Sequence, residues 1–275
     1  MDTRFQISKP TTPSQRNLLK IKRKVSINKP LLKNRMKGLK NSAGRNNSGK
    51  ITVYHKGGGH KQKYRKLNFY ELKQLTAIVI TIEYDPNRSA NIASMYDLTS
   101  KNYFYILAPE NLSVGNIIKS GYNAEPKLGH SLPLSKIPVG SLIYNISPRI
   151  SKKCQISRAA GTFSYLIEKT SKHGKIRISS GEHKTLSLNC YASIGTVSNE
   201  LHFLTNIGKA GRARWLNKRP TVRGVAMNPI DHPHGGGEGR KSGKNVTPWG
   251  MPNLRGSTSR SKIFTRLTSK YNDKI

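Results

Sequence analysis

The stretch MNPIDHPHGGGEGR, residues 227–240, gathers Asp231, His232, His234 and Glu238 beside four glycines in fourteen positions. If the segment is extended, His232 and His234, separated by Pro233, point the same way, as two metal ligands would. A catalytic zinc site wants three protein ligands with supporting groups behind them. Here no second His/Cys pair lies nearby, and Asp231 and Glu238 are the only local carboxylates. A Ser–His–Asp arrangement would need a nucleophile, and the chain has no G-x-S-x-G elbow. Arg212, Arg214, Arg219, Arg223 and Arg240 surround the cluster instead, and their planar forks suit phosphate. Asp231 and Glu238 are then expected to orient arginines or backbone amides. The chemistry favours a loop that presses its backbone against RNA over a metal or acid–base site.

A second stretch, YHKGGGHKQKYRK at 54–66, sets Gly57, Gly58 and Gly59 between cations and rings. Without Cβ atoms, such a backbone can lie against a sugar–phosphate surface. Lys56, Lys61, Lys63, Arg65 and Lys66 supply charge, while Tyr54, His55, His60 and Tyr64 can stack or hydrogen-bond. The alternative is a glycine-rich hairpin with solvated lysines. GRNNSGKIT at 44–52 nearly matches a phosphate-binding P-loop, but Ile51 stands where a Mg²⁺-ligating hydroxyl belongs. It also precedes an apparent strand, ITVY, instead of opening a helix. Arg45 and Lys50 therefore read as phosphate contacts of a nucleic acid.

The charge distribution agrees. Residues 1–66 hold nineteen Lys/Arg against one acid, and residues 209–275 hold fifteen against three. The centre, 67–208, holds fifteen against nine, so most of the net charge of +36 sits at the two ends. Basic arms around an ordinary centre are the pattern of nucleic-acid binding. Anionic membranes are the competing partner, but no run of about eighteen apolar residues exists to span one. The ends are also broken by Gly, Asn and Pro, against a surface amphipathic helix. Cys154 and Cys190 lack C-x-x-C spacing, which excludes a zinc ribbon or disulfide framework and fits a reducing compartment. Both are expected in strands as small apolar residues. The start, MDTRFQISKP, has neither a secretory apolar stretch nor a transit-peptide pattern.

Behind these motifs must stand elements that position them. Strand-like runs fall at 76–84, 90–96, 103–108, 114–121, 139–147, 161–169, 174–180, 183–190 and 192–197, divided by turns such as DPNRS. Short strands at this spacing suggest small antiparallel barrels, and no βαβ alternation appears. The segment 121–138, with three prolines and two glycines, reads as the join between two β modules. Residues 1–50 have too little apolar content to fold alone and should order on a partner. Beyond about 205, the Gly-, Pro- and Arg-rich chain likewise needs an outside surface.

RPTVRGVAMNPIDHPHGGGEGR (219–240) resembles the signature of the ribosomal protein L2 family of the large subunit. The resemblance continues, in order, through GRNNSGKITVYHKGGGHKQKYR, EYDPNRSANIA, YILAPENLSVG, IPVGSLIYNI, RAAGT, IRISSGEHK, GKAGRARW and VTPWG. It covers roughly residues 40–255. The departures are RAAGT, where RSAGT is more usual, and Lys/Asn-rich ends. The resemblance implies a mostly β chain: an OB-like barrel at 61–130, then an SH3-like barrel at 131–205. Basic irregular extensions at 1–60 and 206–275 would thread into large-subunit rRNA.

By the same resemblance, the protein is a structural constituent of the large subunit that supports its assembly, the architecture near the peptidyl transferase centre and subunit association. Gly224, Met227, Asn228, Asp231, His232, His234, Gly235, Gly236 and Gly237 match the loop that reaches toward that centre. Gly57–Gly59, His60 and Tyr64 match the family's first RNA-contacting loop, and Arg88 and Ser89 its barrel turn. Arg158, Lys209, Trp215 and Trp249 complete the expected RNA contacts. No cofactor is expected beyond Mg²⁺ associated with rRNA. Expected partners are rRNA, neighbouring ribosomal proteins and the small subunit, with no membrane insertion. Lys/Asn/Ile-rich ends suggest an AT-rich coding genome, so a mitochondrial ribosome is favoured over a plastid or bacterial one. An enzyme using His232, His234 and Asp231, and a DNA-compacting protein, are the competing readings.

Overall fold

The computed structural model describes residues 5–22, 30–69, 74–150, 152–238 and 245–252. By its internal packing the chain divides into a larger unit, 1–52 with 56–218, and a smaller one, 53–55 with 219–275. The larger unit opens with β1 (Phe5–Ile7), a single helical turn α1 (Pro13–Arg16) and β2 (Leu19–Ile21), with β1 and β2 paired antiparallel. β3 (Met36–Gly38) pairs with β4 (Lys63–Arg65). Four strands follow: β5 (Leu75–Glu83), β6 (Ile92–Asp97), β7 (Tyr103–Leu107) and β8 (Ile117–Ser120). Six more are β9 (Ser131–Pro133), β10 (Leu142–Tyr144), β11 (Ser164–Lys169), β12 (His173–Ile178), β13 (His183–Ser187) and β14 (Tyr191–Ile194).

These ten form one sheet in the order β13-β12-β11-β10-β14-β9-β8-β5-β6-β7. All its pairings are antiparallel except a single parallel link, Ser120 to Ser131, where β8 meets β9. β5–β8 thus pair among themselves, as do β9–β14, and the chain is mostly β, consistent with two successive small barrels. β5 shows how the sequence builds them. Its alternate residues Ala77, Val79, Thr81 and Glu83 face inward and are buried, across a register shift between Val79 and Thr81. Ala77 and Val79 pack with Ala93, Met95, Ala108 and Ile118. The later strands enclose Leu132, Leu134, Ile143, Ile146, Leu166 and Ile176. A third cluster joins Tyr105 and Leu107 of the first half to Tyr144 and Val197 of the second.

The inward end of β5 is polar, and its carboxylate organises the neighbourhood. Glu83 is buried and accepts hydrogen bonds from the Tyr105 hydroxyl (3.1 Å), Thr81 Oγ1 (3.1 Å) and the Leu31 N–H (3.0 Å). Tyr105 in turn accepts the Leu32 N–H at 2.9 Å. Burial pushes the Tyr105 phenol up to about 12, the Leu32 N–H opposes this, and the Glu83 charge adds to it. Between pH 10 and 12 the folded chain therefore keeps a proton that the unfolded chain releases, so stability falls as pH rises through that window. The expected loss is about 2 kcal/mol. Tyr105→Phe should be less stable at pH 8, yet lose less on going to pH 11.5. Urea midpoints of both proteins at the two pH values check this.

The strand runs expected from the sequence at 76–84 through 192–197 all contain strands. β9 was hidden inside the proline-rich segment expected to be a join. ITVY is not a strand; only Ile51 forms a bridge, to Arg45. Cys154 and Cys190 are buried, as small apolar residues would be, but both lie outside strands. Burial raises the Cys190 thiol, against a hydrogen bond with Ser147. The first fifty residues are more anchored than their composition suggests. Leu19 and Asn206 exchange backbone hydrogen bonds at 3.2 and 3.1 Å, Leu18 is buried, and Glu83 and Tyr105 hold Leu31 and Leu32.

Candidate nucleic-acid interface

The helix α2 (Ala210–Trp215) carries Arg212, Arg214 and Trp215 and stops at a left-handed Asn217, φ +67°. Lys218 N–H reaches the Ala213 carbonyl and Asn217 N–H that of Arg214, the paired closure of a Schellman end. That leaves carbonyls at the helix end unpaired, and the glycine loop supplies donors. Gly57 N–H donates to Asn217 O (2.8 Å) and His60 N–H to Trp215 O (3.1 Å). Asn41 Nδ2 holds the other side of the loop through Gly58 O at 2.9 Å. Gly59 has φ +55°, and a Cβ there would overlap Asn217 Oδ1 and stand 2.8 Å from the Trp215 carbonyl oxygen. Much of the glycine requirement is therefore internal, because the loop caps α2. Gly58, with nothing nearer than Ala43 Cβ at 4.0 Å, keeps an open face.

In the smaller unit the His232–His234 segment folds into a knot, not an extended strand. Asn228 O accepts the Asp231 and His232 N–H groups, and His232 O accepts that of Gly235 at 2.8 Å. The ring of His232 is buried and its Nδ1 accepts the His234 N–H at 3.0 Å. His234 Nε2 accepts the Val246 N–H at 3.3 Å, and the two rings lie 4.8 Å apart. Each ring thus offers a lone pair to a backbone donor. A Cβ on Gly224 would stand 2.5 Å from the His232 ring, and one on Gly235 would overlap the Asn228 carbonyl. Gly236 (φ +73°) faces Pro229, whereas Gly237 (φ +79°) has nothing within 4 Å. Among the described residues no three His, Cys, Asp or Glu side chains gather as a metal site. Asp231 and Glu238 are exposed.

The other expected residues separate by burial. Arg45 and Lys50 are exposed on a tight turn that Asn46 closes, its Oδ1 accepting the Lys50 N–H at 2.9 Å. His55, Lys56, Lys61, Lys63, Tyr64, Arg158, Lys209, Arg214, Arg219, Arg223, Asn228 and Trp249 are exposed, while Met227 is half-buried. His55 Nδ1 and the Thr221 hydroxyl are 3.1 Å apart. Arg65 differs: it is buried, with Nη1 3.5 Å from Asp85 Oδ1 and Nε 4.0 Å from Glu83 Oε2. Its guanidinium serves the barrel and not a surface. Arg88 is committed to Asp85 at 2.6 Å, with Arg158 lying 4.9 Å from the Phe69 ring centre. The Ser89 hydroxyl accepts the Ala160 N–H, so the barrel turn is tied to the RAAGT segment. Arg240 lies outside the described residues. Asn41 and Asn217, which position the first loop, were missed; the helix-stopping Asn after GKAGRARWL was the available signal.

A β-rich body with exposed cationic loops, each shaped by glycine, defines a structural nucleic-acid-binding protein. Residues 32–120 match the family described as ribosomal proteins L2, RNA binding N-terminal domain, and residues 127–250 match ribosomal proteins L2, C-terminal domain. The large ribosomal subunit proteins uL2 of Rickettsia akari and Rickettsia massiliae are each 47% identical to the chain over 264 residues, covering 95% of it and 96% of their own length. The chain belongs to the ribosomal protein L2 family. It is a structural component of the ribosome's large subunit and not an enzyme. No helix among the described residues is long and apolar enough to cross a membrane.

Proposed function

We propose that the chain is held in large-subunit rRNA by its two basic extensions, 1–60 and 206–275, around an OB-like body at 61–130 and an SH3-like body at 131–205. The observation that carries this reading is the character of the smaller unit. Among its described residues only His232 is buried, while Ile230 is 93% and Trp249 65% exposed, and Arg219 and Arg223 are exposed as well. A segment that buries so little cannot hold large apolar groups in water without cost, and cations interleaved with rings suit RNA. The loop 224–237 is the part that approaches the peptidyl transferase centre, where the chemistry belongs to the RNA. Assembly of the large subunit and association with the small subunit depend on the same extensions, with Mg²⁺ serving only the rRNA.

The exposed cations predict binding that weakens steeply with salt. With six to ten phosphate contacts, affinity for rRNA fragments should fall roughly 10³–10⁵-fold between 50 and 200 mM salt. Fluorescence anisotropy across that range measures it, and a flat response would remove the electrostatic basis of the proposal. We further assign the protein to a mitochondrial ribosome, on its Lys/Asn/Ile-rich ends. Fractionation followed by sedimentation tests this, since recovery with large subunits of a plastid or of bacterial cytoplasm would overturn it.

A further inference from the structure

We propose that Trp215 is a stacking platform for one unpaired RNA base, built jointly by α2 and the loop 56–61. This rests on the reading of the chain as an rRNA binder and names what that surface takes. Trp215 is the last residue of a six-residue helix, is 57% exposed, and carries the Lys209 ammonium 4.8 Å from its ring centre. A ring this large left in water is costly unless something covers it. Its backbone is fixed on both sides: its carbonyl accepts the His60 N–H, and the next two residues form the left-handed helix end that Gly57 and Gly59 fit against. Lys56 and Lys218 bridge alongside. The indole is therefore presented on a rigid base.

The surroundings choose the occupant. No Asp or Glu occurs between residues 201 and 230 or between 51 and 66, so every charge on the two segments that build the platform is positive. Lys56, Lys61, Lys209, Arg214 and Lys218, all on these two segments, are exposed. An acidic protein partner would satisfy the charge but not the flat ring. A nucleotide satisfies both, its base covering the indole while its phosphate meets the lysines. A paired base keeps its faces inside the duplex stack, so the geometry points to a single-stranded or bulged nucleotide.

The chain has two tryptophans, so a Trp249→Phe background leaves Trp215 as sole reporter. In that background, short single-stranded RNA and a duplex of equal length are titrated, following indole fluorescence and the anisotropy of labelled RNA together. The expected result is quenching that saturates with single-strand binding, and little quenching by a duplex that nonetheless binds. Adding Trp215→Ala should weaken single-strand binding roughly 5- to 100-fold, with duplex binding unchanged. Trp215→Tyr should restore most of it, and circular dichroism should match the parent. Salt-dependent RNA binding without quenching, or with Trp215→Ala inert, overturns the platform and leaves the RNA-binding reading intact. Absence of salt-dependent RNA binding in either probe overturns that reading as well.

Discussion

Replacing Arg65 with Met will destabilise the folded chain by about 3 kcal/mol, one of the largest effects a single substitution can have here. The side chain is 5% exposed and lies against two carboxylates that are themselves buried, Glu83 and Asp85, at 1% and 0%. Removing the cation strands negative charge away from water, which costs far more than losing a surface pair. The low end of the usual 3–5 kcal/mol range applies because both anions keep other partners. Arg88 remains on Asp85 at 2.6 Å, and Tyr105 and Leu31 remain on Glu83. Urea unfolding should show the midpoint falling by about 1 M. Lys63→Ala, two residues away on the same strand but exposed, should change stability by less than about 0.5 kcal/mol. If the two variants behaved alike, Arg65 would be a surface residue after all.

That contrast shows where sequence reading works and where it stops. The barrel strands were legible because burial on one face leaves alternation in the residues, as in Ala77, Val79, Thr81 and Glu83. β9 was not, since Ser131–Pro133 is only three residues long and sits among prolines and glycines that usually mark loops. In KQKYRK every cation looks alike, and nothing local says that Arg65 turns inward while Lys63 and Lys66 turn out. The reason lies in the DPNR turn and the end of β5, which supply its anions. The N-terminal hairpin was illegible for the same kind of reason: its partner, Asn206, is far along the chain. Glycine runs announced that backbone freedom was needed, but not whose atoms would press against them.

The HPHGGG loop turns that last point into the second large effect. Gly235→Ala should disrupt the loop in the isolated protein, before any RNA is present. Its Cβ would overlap the Asn228 carbonyl and lie 2.7 Å from the Met227 oxygen, and both are backbone atoms that a rotamer change cannot clear. Relief requires breaking the hydrogen bonds that Gly235 makes to His232 and Gly236 to Met227. The expected cost is about 1–3 kcal/mol locally, seen as faster amide exchange across 224–236 and exposure of His232. Incorporation into large subunits should fall with it. Gly237 separates this internal demand from an RNA-facing one. It too has a left-handed backbone, φ +79°, but nothing lies within 4 Å. Asn tolerates that conformation, so Gly237→Asn should leave amide exchange in the free loop unchanged. If its large subunits are nevertheless scarce or slow, the space beside Gly237 is occupied by RNA in the ribosome. Normal large subunits from Gly237→Asn would mean that the glycines serve the loop's own fold and nothing outside it.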